Sequence, residues 1–272
     1  MEFTEEEGRI RDEALAYVKA NADALVEEFI LSKRPLPLAF TSIFMAGSPG
    51  AGKTEFSKRY IPLFPDLQNA EIAEALRIAR IDPASFESLL VRIDVDEIRT
   101  FLPQYNTGDA ASNVRANAHV VQKAANCGLD ILRDYCFDHD ISFLHDGTFG
   151  NYSTMRAIVK RSIETERQVH IYYLYIDPMA AWSFTKAREF LEGRNILKDK
   201  FIEQYAHSKE NVDRIKGEFG NAIQVHCILK NASNQIIDTA FNEPSVSGFL
   251  ETKQRDGLVS MYTELELNDL LV

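Results

Sequence analysis

Residues Gly47-Ser48-Pro49-Gly50-Ala51-Gly52-Lys53-Thr54 fit the spacing G-x-x-x-x-G-K-[ST] in full. Each fixed position has a chemical reason. Glycines let the backbone curl until successive N–H groups converge on phosphate oxygens. A helix beginning at the lysine turns its positive end toward the same oxygens. Lys53 reaches the terminal phosphates, and the hydroxyl of Thr54 is a ligand for Mg²⁺. The pattern sits between an apolar run, "SIFMA", and a helix-like stretch, "TEFSKRY", which is the context a nucleotide-binding loop requires.

Three further stretches carry chemistry-bearing residues. In "LLVRIDVDEIRTFLPQY", Asp94 and Asp96 fall where a strand ends, and ligands gather at such ends in open α/β sheets. A carboxylate there can take the proton of an attacking hydroxyl, and alternation along the strand puts Asp96 nearest the tip. The same residue could instead cap the short helix that follows. In "ISFLHDGTFGN", Asp146 closes another apolar run in the manner of a metal-supporting carboxylate, and Gly147 and Thr148 leave room for a ligand. That stretch also reads as a strand-to-helix turn with Asn151 or Ser153 as the cap, and His145 as a packing residue. In "TKAREFLEGRNILKDKF", Lys186, Arg188 and Arg194 flank Gly193. Such a segment suits a lid that brings guanidinium charge over a transferring phosphoryl group, and equally a solvated helix face.

These residues need elements to hold them. Six apolar runs rich in β-branched and aromatic residues read as strands: "TSIFMAG", "LLVRIDV", "ISFLHDG", "QVHIYYLYID", "AIQVHCIL" and "QIIDTAF". Helical patterns separate most of them, the longest being "NVRANAHVVQKAANCGLDILRDYCFDHD", which implies a mainly parallel sheet flanked by helices. The last two strands, joined by "KNASN", read as an edge hairpin. Ahead of the sheet, Thr4 to Ser32 reads as one amphipathic helix capped by Thr4, with Glu5, Glu6 and Glu7 in its first turn. The expected organisation is an α/β P-loop fold at 38–272, preceded by a helical segment at 1–37. A helical insertion lies at about 66–90, and the lid region covers about 186–200.

Composition removes other classes. The chain has 272 residues, is 45% hydrophobic and 26% charged, and carries a formal net charge of −11. That acidity, with no basic stripe, disfavours long nucleic acid as a partner. No run of roughly 18 apolar residues exists, so no membrane span is expected. The acidic, polar start lacks the character of a secretory signal. Cys127, Cys136 and Cys227 match no metal spacing and read as reduced thiols of a cytoplasmic protein.

Read in order, "GSPGAGKT", "IDVDEIRTFLPQY" with Pro103 and Tyr105, "DGT" and the arginine pair resemble the zeta toxin family of P-loop kinases, over about Ile43 to Tyr205. The resemblance implies transfer of the γ-phosphate of ATP, with Mg²⁺, to the 3′-hydroxyl of the sugar in UDP-N-acetylglucosamine. It implies Asp96 as catalytic base and Arg188 and Arg194 as arginines acting on the transferred phosphate. Asp94, Asp146, Thr148 and Tyr105 then belong to the substrate side, with Thr54 and Asp146 at the metal. It also implies an antitoxin protein as partner, or the N-terminal helix as an inhibitor in cis, although the broad apolar stripe of that helix reads first as a face packed on the sheet's flank. Kinases related to this family act on other acceptors, so NAD, a nucleoside or a nucleic-acid end remain open, as does a nucleotide-gated switch.

Overall fold

Apolar runs of four to eight residues bounded by turn residues pair as strands when both faces can be covered, and all six runs do so. The computed structural model describes residues 3–33, 35, 40–60, 90–106, 118–192 and 196–271. The strands are β1 (Thr41–Ala46), β2 (Val91–Asp94), β3 (Phe143–Asp146), β4 (Gln168–Tyr175), β5 (Gln224–Lys230) and β6 (Ile236–Ala240). They form one six-stranded sheet in the order β2-β3-β1-β4-β5-β6. β1 pairs parallel with β4 from Thr41↔Gln168 to Ala46↔Tyr173, and β4 pairs parallel with β5. β5 and β6 form the expected antiparallel edge hairpin, with a register shift between Leu229 and Lys230. Every residue of β4 after Gln168 is buried, as a strand covered on both faces must be.

The helices are α1 (Glu5–Ala20), α2 (Ala22–Phe29), α3 (Lys53–Tyr60), α4 (Val95–Phe101), α5 (Gln122–Asp138), α6 (Tyr152–Glu164), α7 (Pro178–Glu192), α8 (Lys198–Phe219), α9 (Val246–Arg255) and α10 (Glu264–Leu270). No described helix is long and apolar enough to cross a membrane. The insertion expected at about 66–90 lies outside the described residues up to residue 89.

The chain gathers into two compact units, one of Met1–Leu38, Ser85–Phe143 and Arg188–Asn195, the other of Ala39–Ala84, Leu144–Ala187 and Ile196–Val272. In the first, α1, α2 and α4 pack on α5. Ala14 and Val18 of α1 and Leu25 of α2 are fully buried, and the Phe101 ring lies 5.8 Å from Tyr17 and 6.3 Å from Phe29. Thr4 caps α1 through a capping box with Glu7, as its sequence indicates. The single N-terminal helix expected from periodicity is two helices. Asn21 leaves the helical region at φ −114°, and its side-chain amide donates to the Tyr17 carbonyl at 2.9 Å. An asparagine that serves the backbone in this way competes with the helix ladder.

In the second unit, α3 packs on β1, α6 on β4, and α8 on β1, β4 and β5. Asn151 caps α6 by accepting from Thr154 N at 3.0 Å, as one of the two expected caps. Cys136 and Cys227 are buried and all three cysteines are free thiols.

Candidate functional site

β1 delivers the chain to Gly47, and α3 takes over at Lys53. Between them the loop folds tightly, with Ala51 N donating to Ser48 O at 3.2 Å and Ser48, Pro49 and Ala51 buried. Gly50 adopts φ +76°, and a Cβ there would lie 2.2 Å from the Ala181 carbonyl oxygen of α7. Only glycine fits between that helix and the loop. α7 itself starts where Pro178 follows Asp177, whose Oδ1 accepts from Met179 N at 2.9 Å. Lys53 donates to the carbonyls of Gly47 at 3.0 Å and Ser48 at 2.7 Å. Its ammonium thus lies against the cradle, where phosphate oxygens can exchange for carbonyls. Thr54 stands in the first turn of α3.

The end of β3 reaches the same turn. Ser57 donates to the Thr54 carbonyl at 2.9 Å and to Asp146 Oδ2 at 3.4 Å, which sets the buried Asp146 carboxylate one helical turn behind Thr54. Gly47 N donates to Thr148 O at 3.4 Å, so the "DGT" segment and the phosphate loop are bonded to each other. The next residue, Phe149, holds φ +62°, in the left-handed region. Asn211 of α8 secures that turn by donating to Phe149 O at 3.0 Å and Gly150 O at 2.9 Å. His145 is a packing residue, its ring 6.1 Å from that of Phe44.

A cavity of about 210 Å³ opens at the C-terminal ends of β4 and β5 in this unit. Its walls include Tyr175, Lys230 and Asn231 with the apolar Leu229, Ile237 and Leu258. The segment after α9 closes one side, where the Tyr175 hydroxyl donates to the Ser260 carbonyl. Burial pushes the Tyr175 phenol well above its ordinary pKa, so it acts as a neutral donor.

In the other unit, β2 ends at Asp94 and α4 begins at Val95, which corrects the reading of "LLVRIDV" as strand throughout. The reason is local. Asp94 Oδ1 accepts from Asp96 N at 2.8 Å and so caps the helix, while its Oδ2 pairs with Arg92. Asp96 is therefore neither a strand-tip residue nor the cap; it stands in the first helical turn. Its side chain is 32% exposed, and its Oδ1 accepts from Arg99 at 2.5 Å. Arg92 also pairs with Glu97, and Arg99 also donates to Gln122, so five charged side chains and an amide brace this corner. Tyr105, expected on the substrate side, is 2% exposed and belongs to this unit's core.

Arg188 is exposed on α7, and Lys186 lies 4.7 Å from the Trp182 ring on the same helix. Arg194 and Gly193, with the centre of the expected lid, lie outside the described residues. Among the described residues no group of three or more His, Cys, Asp or Glu gathers. Among the described residues, oxygen ligands near the loop include the hydroxyl-bearing Thr54 in the first turn of α3 and the Asp146 carboxylate one turn behind it. A small set of hard oxygens, completed by phosphate and water, is how Mg²⁺ is commonly held, so these residues fit that ion.

Sequence reasoning misses Ser57, Asn211, Arg99, Lys230 and Asn234. Arg99 follows Asp96 at helical i,i+3 spacing, and Lys230 is a charge ending an apolar run; both signals are readable. Nothing local marks Asn211.

Comparisons with known proteins bear on the same stretches. A family model described as zeta toxin matches residues 71–244, more than half of the chain. A second, magnesium chelatase subunit ChlI, matches residues 37–95, which include the phosphate loop. No curated protein sequence matches. The PezAT chromosomal toxin-antitoxin system of Streptococcus pneumoniae is similar in fold, with TM-score 0.55 and 15% identity, over 99% of this chain and 93% of that one. AvrRxo1-ORF1:-ORF2 with ATP is similar at TM-score 0.55 and 14% identity, over 90% of this chain and 71% of that one. The same complex with sulphate ions gives 0.55 and 12%, over 96% and 84%.

Proposed function

Because this chain belongs to the zeta toxin family of P-loop kinases, we propose that it transfers the γ-phosphate of ATP to the 3′-hydroxyl of the sugar in UDP-N-acetylglucosamine. The observation that carries the reading is the phosphate cradle: Gly47–Thr54 bonded through Gly47 to Thr148, with Asp146 set behind Thr54 by Ser57.

In this reading the loop N–H groups and the start of α3 bind the β- and γ-phosphates. Lys53 exchanges its loop carbonyls for phosphate oxygens and neutralises charge there. The cavity beside Lys230 and Leu258 takes the nucleobase, its apolar walls covering the ring faces. Asp96 accepts the proton of the acceptor hydroxyl as that oxygen bonds to the γ-phosphorus and the bond to the β-bridging oxygen breaks, releasing ADP. Arg99 orients the carboxylate for that task. Arg188 and Arg194 bring positive charge to the transferred phosphoryl group. Thr54 and Asp146 would hold Mg²⁺, which would supply positive charge to the phosphate oxygens.

The partner this reading implies is an antitoxin protein, as the PezAT system is a toxin-antitoxin system. The N-terminal helices support a structural role for that segment, since their apolar faces are buried against α5.

The test is mass spectrometry of purified protein with ATP and Mg²⁺ against UDP-sugars, NAD, nucleosides and short oligonucleotides, with Asp96→Asn as control. One added phosphate on UDP-N-acetylglucosamine, absent with the variant, is expected. Phosphate on another member would replace the acceptor. ATP hydrolysis with no acceptor modified would replace the kinase by a nucleotide-gated switch.

A further inference from the structure

A phosphate loop binds anions because its N–H groups turn inward, which turns its carbonyls outward. Outward carbonyls that are buried need donors of their own. Lys53 serves the first part of the loop, at Gly47 and Ser48. At the crest, Phe56 N of α3 donates to Gly52 O at 3.0 Å, and the remaining donors come from elsewhere. Lys230, the last residue of β5, donates to Ala51 O at 3.3 Å, Gly52 O at 3.2 Å and Asn234 Oδ1 at 2.8 Å. An ammonium has three protons, and here each finds an acceptor.

The arrangement is built from several sides. Lys230 is 4% exposed, a depth at which a lysine needs partners. Asn234, in the turn after β5, also donates to Glu55 Oε2 at 2.6 Å, which ties the hairpin to the first turn of α3. A Cβ on Gly52 would lie 2.6 Å from the Lys230 nitrogen and 2.7 Å from Asn234 Oδ1. The glycine thus makes the space that the ammonium fills, besides adopting φ +71°. Burial lowers the pKa of Lys230, and the Glu55 charge acts against that loss.

We propose that Lys230 is a positioning residue of the phosphate site: it pins the carbonyls of Ala51 and Gly52 outward, so that the N–H groups at the crest of the loop converge on phosphate, and it places a positive charge behind the cradle. The inference rests on the reading of this loop as the ATP site. Lys230 also borders the cavity assigned to the base, so the two roles must be separated.

The separating measurement is calorimetric binding of ATP and of inorganic tripolyphosphate, each with Mg²⁺, to wild type, Lys230→Met and Lys230→Arg, with thermal unfolding of each. Lys230→Met keeps the stem and removes the charge. It is expected to bind both ligands about tenfold more weakly, equivalent to about 1.4 kcal/mol, with Lys230→Arg recovering part of the loss. If Lys230→Met does not fold, Asn234→Ala removes the ammonium's anchor and is expected to weaken both ligands in the same direction, by about threefold. A folded Lys230→Met that binds both as tightly as wild type overturns the proposal. Loss of ATP affinity alone also overturns it, in favour of a direct contact to the base. Wild type that binds neither ligand overturns the nucleotide reading and this inference together. Wild type that binds both yet phosphorylates no UDP-sugar overturns only the acceptor.

Discussion

At the end of β1 the groups offered to a ligand are backbone N–H donors and a lysine; at the end of β2 they are carboxylates braced by guanidinium groups. The first region is made of main chain. Its shape depends on glycine conformations and on what holds its carbonyls from behind, and its charge comes from oriented dipoles and ammonium groups. The second is made of side chains. Arg92 and Arg99 fix Asp94, Asp96 and Glu97 in place, and the backbone contributes the cap at Asp94. The difference teaches where each region is fragile. A main-chain cradle fails when a side chain intrudes, whereas a braced carboxylate fails when its partner leaves.

The comparison can be broken most decisively at Asp96. Asp96→Asn is expected to lower the transfer rate by about 10³-fold, or roughly 4 kcal/mol of barrier, while ATP affinity stays at the wild-type value. Single-turnover kinetics beside calorimetry would read both, and an unchanged rate would remove Asp96 from the chemistry. Next is Arg92→Leu, which strands the buried Asp94 carboxylate without its guanidinium. The side chains of Arg92 and Asp94 are 11% and 8% exposed, so a stability loss of about 3 kcal/mol is expected in urea unfolding. ATP affinity of the folded protein should be preserved; a matching loss of affinity would mean that the two regions are not separate in kind. The smallest effect belongs to Gly50→Ala. Left-handed backbone and the approach of Ala181 O predict a stability cost of about 2 kcal/mol, here with a loss of ATP affinity. Wild-type affinity in that variant would show that the loop tolerates a side chain, contrary to the cradle argument.

The sheet was legible because its strands are continuous apolar runs, and such runs leave little doubt when covered on both faces. The phosphate loop was legible because each of its positions answers to a backbone requirement. The corner at β2 was read as strand through Val95, where the structure has helix. β-branched Val91, Ile93 and Val95 favour strand, but the Asp94 carboxylate captures the Asp96 N–H and starts the helix one residue early. The N-terminal break at Asn21 is another contest between periodicity and a local hydrogen bond. The pairings that support the site across the chain were not legible, even where a single partner such as Lys230 stands out. Lys230 meets Ala51 across a separation of 179 residues, Asp146 meets Ser57 across 89, and Asn211 meets Phe149 across 62. No periodicity or motif announces such pairs.

The distance in sequence between the loop and Lys230 has a consequence for the birth of the protein. Synthesis proceeds from the N-terminus, so the ribosome makes Gly47–Thr54 well before the lysine that braces it. Until β5 has emerged and paired with β4, a nascent chain carries the loop's amino acids without the ammonium that serves Ala51 O. Full competence to grip nucleotide therefore waits for β5, and a chain interrupted before residue 230 carries the motif without its brace.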